Sequence, residues 1–315
     1  MIVVAGEALV DLIVATDGGL TANPGGGPYN AARTISRLGG RSAFLGRIST
    51  DHFGRDLRAR LEEDAVDLSL AVSTADPTTL AVAELDAGGA ARYIFYTVGT
   101  SAAGLLPGDV VAGLPAQVTA FHIGTLGLLL EPVATTLEGL LGHVDDHVLV
   151  FVDPNCRPAV LSEDEPYRAR IGRILERADV VKVSGDDLEY LDPGVEALVA
   201  ARGLVAKGVP VVLFTDGARA VHVLTDAAEY VVPVPAVEVV DTVGAGDAFG
   251  GAFLTAWTSK GRGRDDLEDG PAVRDAVTAA VAVASFTCSR QGADPPHLRE
   301  LDPALVPAFA ATTTA

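Results

Sequence analysis

The sequence predicts an α/β fold, a doubly wound and mostly parallel sheet flanked by helices and carrying a small β-sheet lid, on three observations. Short apolar runs rich in Val, Leu and Ala alternate with helix-length periodic segments along nearly the whole chain. The runs are broken by Gly, Pro and Asp, which suits buried parallel strands alternating with helices. Two stretches, residues 9–14 and 80–98, depart from this rhythm and look like hairpin strands standing apart from the main sheet.

In chain order, a strand at 1–4 is followed by a helix over 29–38, a strand at 43–48 and a helix over 53–62. The alternation resumes with 118–123, 132–141, 148–152, 167–177, 180–183, 195–206 and 211–215, and closes on helices at 245–257 and 272–288. Residues 80–85 and 92–98 flank Asp86-Ala87-Gly88-Gly89-Ala90, which reads as their turn. Because these segments fall between βα units, they emerge from one edge of the main sheet, where a lid over a site is placed. With no internal repeat or low-complexity linker, residues 1–315 are expected to form one unit with lid strands from about 9–25 and 78–98. The Ala/Thr-rich tail beyond Asp302 is expected to fray.

The 315 residues are 49% hydrophobic but only 5% aromatic, with a mean hydropathy of +0.32, ample for a core. No apolar run approaches the roughly 18 residues needed to cross a bilayer. The opening MIVVAGEALVDLIV has no basic region or small-residue cleavage site, so it reads as a strand and the cytoplasm is the expected compartment. A formal net charge of −19 argues against nucleic acid as a partner, because neutralising phosphates takes clustered Lys and Arg. Cys156 and Cys288 fit neither a disulfide framework nor a metal cluster and are expected to be reduced. His122 and the other histidines lack i, i+4 pairing or a triad pattern and are read as structural. The only lysines are Lys182, Lys207 and Lys260, none followed by Ser or Thr, which excludes a Walker-A loop.

The chemistry is carried by Asp241-Thr242-Val243-Gly244-Ala245-Gly246-Asp247-Ala248-Phe249, which follows a strand-like segment and opens the 250–257 helix. Glycines 244 and 246 let backbone N–H groups converge at a helix N-terminus, an anion pocket that needs no lysine. Asp247 in the first turn is placed to accept a proton from a hydroxyl attacking a phosphate. A plain Asp cap on a Gly-rich loop is the bland alternative. A dinucleotide fingerprint fails, because position 249 is Phe and no second βαβ unit follows.

These residues closely resemble the C-terminal signature of the ribokinase-like, or phosphofructokinase-B, family of carbohydrate kinases. A second signature stands near the N-terminus as Gly25-Gly26-Gly27-Pro28-Tyr29-Asn30-Ala31-Ala32, matching the family's GG-x-x-x-N. Similar stretches between them include Leu45-Gly46-Arg47 with Asp51 and Gly54, His122-Ile123-Gly124-Thr125-Leu126 and Asp153-Pro154-Asn155-Cys156-Arg157-Pro158. The likeness spans about residues 2 to 300.

The resemblance implies an ATP- and Mg2+-dependent sugar kinase with Asp247 as base, and with Gly244, Ala245 and Gly246 presenting amides to the transferring phosphoryl group. Asp11, Gly26, Gly27 and Asn30 match positions that hold sugar hydroxyls. Asn155 and Arg157 resemble the version found in fructokinases and 2-keto-3-deoxygluconate kinases, with Arg157 free to pair with a phosphate or substrate carboxylate, or with Asp153 in a structural pair. Lys182-Val183-Ser184-Gly185-Asp186-Asp187 stands where the family has N-x-x-E, which organises magnesium and its waters. Ser184 and Asp187 replace Asn and Glu, and Ser184 also suits a helix N-cap. Thr215-Asp216-Gly217-Ala218-Arg219-Ala220 resembles the T-x-G-x-x-G nucleotide loop, with Ala220 for the last glycine and a plain β-turn as the alternative.

Lys182, Ser184, Thr215, Gly217 and Ala279, the last in the helix walling the adenine, are thereby implied as nucleotide contacts. Asp241 and the carbonyl of Val243 match a monovalent cation position, which makes K+ a candidate. On the lid, Arg92, Phe95 and Tyr96 match R-x-x-F-Y, but position 97 is Thr where Arg is usual, which favours an unphosphorylated sugar. A fructose-like substrate is favoured over a 2-keto-3-deoxy sugar acid or nucleoside. A catalytically silent sugar-binding regulator is the reading from another class. Lid strands in this family often pair chains, though the family also contains monomers, which makes a homodimer through the lid a candidate.

Overall fold

Two sheets organise the chain, and the larger one brings the ends of its central strands together at one edge. The computed structural model describes residues 1–85, 91–160 and 164–311. In order, the elements are β1 (Ile2–Ala5), β2 (Leu9–Val14), β3 (Leu20–Gly25), α1 (Gly27–Arg37), β4 (Ser42–Ser49), α2 (His52–Glu63), β5 (Ala71–Thr74), β6 (Leu80–Leu85) and β7 (Ala91–Tyr96). There follow β8 (Ala120–Gly124), α3 (Val133–Leu141), β9 (Leu149–Asp153), α4 (Asp164–Leu175), β10 (Val180–Ser184), α5 (Gly185–Leu191), α6 (Ala197–Ala206) and β11 (Val211–Asp216). The chain closes with β12 (Ala220–Leu224), β13 (Glu229–Pro233), α7 (Ala245–Thr258), α8 (Gly270–Cys288) and α9 (Val306–Phe309).

The main sheet has the order β13-β12-β11-β10-β9-β8-β1-β4-β5. Its strands from β5 to β11 are parallel, while β12 and β13 extend it antiparallel. From β1 the chain steps outward to β4 and β5, then returns to β8 on the other side, so the winding reverses between β1 and β8. Ligands bind outside the carboxyl ends of strands at such a reversal.

Burial on both faces explains the continuous apolar strands. On β1, Ile2 and Val4 pack with α1, α2, α7 and α8, whereas Val3 and Ala5 join the core built with α3, α4, α5 and α6. Alternation of side chains across a strand thus feeds two cores from one apolar run. Helix starts are set locally: Asp51 caps α2 by accepting from Gly54 N at 2.8 Å, and Asp269 caps α8 by accepting from Ala272 N at 3.0 Å.

The second sheet, β3-β2-β6-β7, holds the expected lid strands. It joins two antiparallel pairs through parallel β2 and β6. The turn expected at 86–90 lies outside the described residues.

The structure departs from the sequence reading in places. It adds β5, β12 and β13 to the expected strands; β5 is a short edge strand that buries only Thr74, and β13 is an edge strand of mixed exposure, so neither shows a clean apolar pattern. The tail does not fray at 302. Residues 306–309 form α9, Phe309 is buried, and Lys260 Nζ donates to the carbonyls of Pro307 (2.6 Å) and Ala310 (3.0 Å).

A buried ion network ties the C-terminal segment to α1. Asp64 takes Arg33 Nε at 2.7 Å and Arg37 Nε at 2.8 Å, and Arg37 Nη1 reaches Asp294 and the Pro295 carbonyl, both at 2.6 Å. This holds residues 292–295 beside the start of α7.

Candidate active site

The start of α7 is shaped by Gly244. It takes the left-handed conformation (φ 76°) as the helix N-cap, and a Cβ there would strike Ala293, so glycine is required on both counts. The first-turn amides of a helix have no intrahelical acceptor. Ala245 N–H turns back to the Thr242 carbonyl at 3.3 Å, while the amides of Gly244 and Gly246 find no acceptor among the described residues. The expected trio of open amides is thus two open and one weakly engaged.

Asp247 stands in the first turn of α7, half-buried and in no ion pair among the described residues. Its Oδ2 accepts from Asn30 Nδ2 at 2.8 Å. Asn30 is buried on α1, and its Oδ1 has no partner. Asp247 Oδ1 lies 3.2 Å from where a Cβ on Gly27 would stand. Gly26, the α1 N-cap at φ 111°, leaves no room for a side chain, since a Cβ would sit 2.7 Å from the Glu7 carbonyl oxygen. Gly27 therefore lies beside Asp247, and Gly26 beside the backbone of Glu7.

Asp11, on β2, reaches the same region with its carboxylate against Gly25. Burial pushes its pKa up to about 6; Asp247 and Asp241 add to the rise and Arg157 opposes it. Strand register assigns the lid's faces. Asp11 pairs with Ala81, and Ala81 with Phe95, so Tyr93 and Phe95 share the face of Asp11. Burial raises the pKa of the Tyr93 hydroxyl and the charges of Asp11 and Asp241 add to the rise, which agrees. Tyr96, expected at the substrate, is on the opposite face and 56% exposed, an inversion that follows from its pairing with Leu80. The side chain of Arg92 lies outside the described residues.

On the α7 side, Lys182 is buried, and its Nζ bonds Asp153 Oδ2 at 3.0 Å and lies 2.9 Å from where a Cβ on Gly246 would stand. Burial disfavours its charge, but Asp153, Asp187 and Asp247 outweigh that and raise its pKa. Asp153 therefore pairs with Lys182, not Arg157. Arg157 is exposed, its Nη1 on the Cys156 carbonyl at 3.1 Å, and its charge is felt by Asp11 and Tyr93. Asn155, half-buried at φ 39°, turns the chain between Asp153 and Arg157.

Ser184 is the N-cap of α5 in a capping box with Asp187. Asp187 Oδ2 accepts from Ser184 N (2.8 Å) and Oγ (2.6 Å), and Oδ1 from Cys156 N (2.7 Å). Asp187 is 2% exposed, so both its oxygens are committed to the fold. Thr215, at the end of β11, donates from Oγ1 to the Val183 carbonyl at 3.2 Å, and Gly217 (φ 55°) makes the tight turn into β12. Ala279 is 3% exposed in the core, so it backs the α8 wall and offers no open surface. Asp241 accepts from Val243 N at 3.0 Å and Gly292 N at 2.9 Å, which leaves carboxylate lone pairs for a cation. Among the described residues, no three His, Cys, Asp or Glu side chains gather as a metal site. His122 is buried against Phe151 with its pKa lowered by burial to about 4, a neutral structural histidine as expected, and both cysteines are free.

Sequence reasoning missed Glu7 and Tyr93. Glu7, 2% exposed, accepts from Gly27 N at 3.1 Å through Oε1, from Gly127 N at 3.1 Å through Oε2, and from the Thr125 hydroxyl. The available signal was an acidic residue closing the apolar run of β1.

The expected role of Asp11 at sugar hydroxyls carries a pH test. Ionised Asp11 offers only acceptors, and protonation converts one oxygen to a donor. As pH falls through about 6, the KM for sugar is expected to rise several-fold while the KM for ATP stays level, and Asp11→Asn should remove this pH dependence. A parent KM for sugar that is flat from about pH 7.5 to 5.5 would show that Asp11 does not read the substrate.

A model of the pfkB family carbohydrate kinases matches residues 1–300. The chain is 32% identical over 305 residues to a probable fructokinase-5 of Arabidopsis thaliana, covering 94% of this chain and 93% of that protein. Its fold matches an ATP-bound fructokinase of Xylella fastidiosa (TM-score 0.84, 26% identity, 98% and 95% of the two chains). It also matches a Vibrio cholerae fructokinase solved with fructose, ADP and calcium (TM-score 0.81, 28% identity, 98% of each chain), and a double mutant of that protein with fructose, ADP and potassium (TM-score 0.81, 28% identity, 98% and 97%).

Proposed function

Because the chain belongs to the pfkB family of carbohydrate kinases, we propose that it transfers the γ-phosphoryl group of ATP to a hydroxyl of an unphosphorylated, fructose-like monosaccharide, with Asp247 as general base. The observation that carries this reading is the placement of Asp247 between the buried amide of Asn30 and the open amides at the start of α7. Asn30 engages Oδ2, which leaves Oδ1 to take the hydroxyl proton. The sugar oxygen then bonds to the γ-phosphorus as the bond to the β-phosphate oxygen breaks, and ADP leaves. The Gly244 and Gly246 amides, with the weakly held Ala245 amide, meet the charge spread over the moving phosphoryl oxygens.

Asp11, Gly26, Gly27 and Asn30 hold the sugar, the free Oδ1 of Asn30 accepting a hydroxyl, and Tyr93 and Phe95 cover it from the lid. Thr215, Gly217 and Ser184 line the nucleotide side, with Lys182 beneath the anion hole. A magnesium ion that arrives with ATP and keeps mostly water and phosphate ligands suits this chain better than one in a protein cage. When bound, it neutralises charge on the phosphates. The Asp153 Oδ1 that is buried without a partner is the acceptor suited to its waters, whereas the expected role of Asp187 passes to the capping box that engages both its oxygens. Asp241 and the Val243 carbonyl are the place for K+. The outer lid face, with Leu20 66% and Tyr96 56% exposed, is the surface through which two chains pair, and the cytoplasm supplies the ATP.

A second reading rests on Arg157, an exposed guanidinium whose charge opposes the raised pKa of Asp11 and which could pair with a substrate carboxylate, so a 2-keto-3-deoxy sugar acid is the rival substrate. Sugar-dependent ADP release with Mg2+ and K+ over fructose, ribose, 2-keto-3-deoxygluconate and nucleosides tests both. Fructose is expected to give a kcat/KM at least about tenfold above the others. No release with any of them, alongside measurable sugar binding, would mark a silent sugar-binding protein.

A further inference from the structure

Glu7 is a fully buried carboxylate with no cation partner among the described residues, an arrangement that costs several kcal/mol unless hydrogen bonds compensate. Three donors converge on it: the Gly27 and Gly127 amides and the Thr125 hydroxyl. Burial pushes its pKa up to about 7 and Asp247 adds to the rise, while Thr125 and the backbone amides of Glu7 and Gly27 oppose it. Glu7 follows β1 and Thr125 follows β8, so the carboxylate bolts together the two strand ends at the winding reversal.

Two of the donors, Gly27 and Thr125, belong to parts that shape the reacting centre. Gly27 opens α1 three residues before Asn30 and lies against Asp247 Oδ1. Thr125 Cγ2 is 2.6 Å from where a Cβ on Gly27 would stand, and Thr125 holds a left-handed backbone (φ 52°) that is strained for a β-branched residue. Gly127 packs on Gly6, the residue before Glu7. An acceptor with two free oxygens satisfies all three donors. A Gln there would turn an NH2 toward one of them and leave two donors facing each other.

We propose that Glu7 is a positioning residue for phosphoryl transfer: its carboxylate pins the Gly27 amide and the Thr125 corner, and thereby sets where Asp247 Oδ1 meets the sugar hydroxyl. The inference rests on the kinase reading. Misplacement by about 1 Å costs on the order of 100-fold in rate.

The full-length chain with Glu7→Gln is expected to lose roughly 10- to 100-fold in kcat for its best sugar, with the KM for ATP and the affinity for ADP within about twofold of the parent. A role confined to the fold would instead lower thermal stability and leave kcat of the folded fraction unchanged, which would overturn the proposal. Should Glu7→Gln not fold, the Thr125 pair decides. Thr125→Val deletes one donor at constant shape and should lower kcat about five- to tenfold, whereas Thr125→Ser should stay within about twofold of the parent. Equal kcat for the two variants overturns the proposal. A parent without sugar-dependent ADP release removes the kinase reading itself, whereas an active parent matched by all three variants removes Glu7 alone.

Discussion

Replacing Asp247 with Asn is expected to lower kcat by about three orders of magnitude while leaving the affinities for ATP and sugar within a few-fold of the parent. The substitution is isosteric, and the oxygen of the new carboxamide can still accept from Asn30 Nδ2, so the floor of the sugar site persists. What disappears is an acceptor for the hydroxyl proton, and a positioned general base contributes about 10^2- to 10^4-fold. Loss of a negative charge in the first turn of α7 also removes a favourable dipole interaction of about 0.3–1 kcal/mol, so a melting point slightly below the parent's accompanies the kinetic loss. Calorimetric titration with sugar and with ADP, set beside coupled ADP-release kinetics, separates the two effects. Turnover within a few-fold of the parent would remove Asp247 from the role of base; loss of sugar binding would assign it to recognition.

The parts of this site that could be read from the sequence are those encoded locally. Residues 241–249 and 25–32 each combine glycines with a polar side chain, Asp247 or Asn30, in the first turn of a helix, and their meaning depends on neighbours within one turn. The Asn30–Asp247 hydrogen bond then joins helices 217 residues apart in the chain, which fits because each helix start is identifiable on its own. Apart from the edge strand β5, the main-sheet strands from 1–4 to 211–215 were legible because burial on both faces makes them largely apolar. Strand register was less so: Tyr93 and Tyr96 have similar surroundings in sequence, and only the pairing of Ala81 with Phe95 decides which of them shares the face of Asp11. Ala279 shows the same uncertainty in helical phase, since α8 is apolar on most of its circumference. Glu7 was hidden because its three partners come from residues 20 to 120 positions away, a convergence that a local pattern cannot announce.

Lys182→Met is expected to be damaging in two separable ways, and the separation shows what the lysine does. The ammonium and Asp153 are both buried, so removing one partner leaves an uncompensated charge, at a cost of about 3–5 kcal/mol. That loss should appear as a lower denaturant midpoint. The second effect is kinetic, because Lys182 Nζ lies beneath Gly246, where the proposed mechanism puts the charge of the transferring phosphoryl group; loss of a preorganised charge there costs on the order of 100-fold in kcat. Asp153→Asn combined with Lys182→Met removes both charges and should recover most of the stability, since burying two neutral groups avoids the unpaired carboxylate. Turnover should stay depressed in the double variant, because nothing has replaced the cation beside the anion hole. If the double variant instead regains parental kcat, Lys182 serves only to neutralise Asp153, and the amides at the start of α7, with the cations that accompany ATP, carry the phosphoryl charge without it.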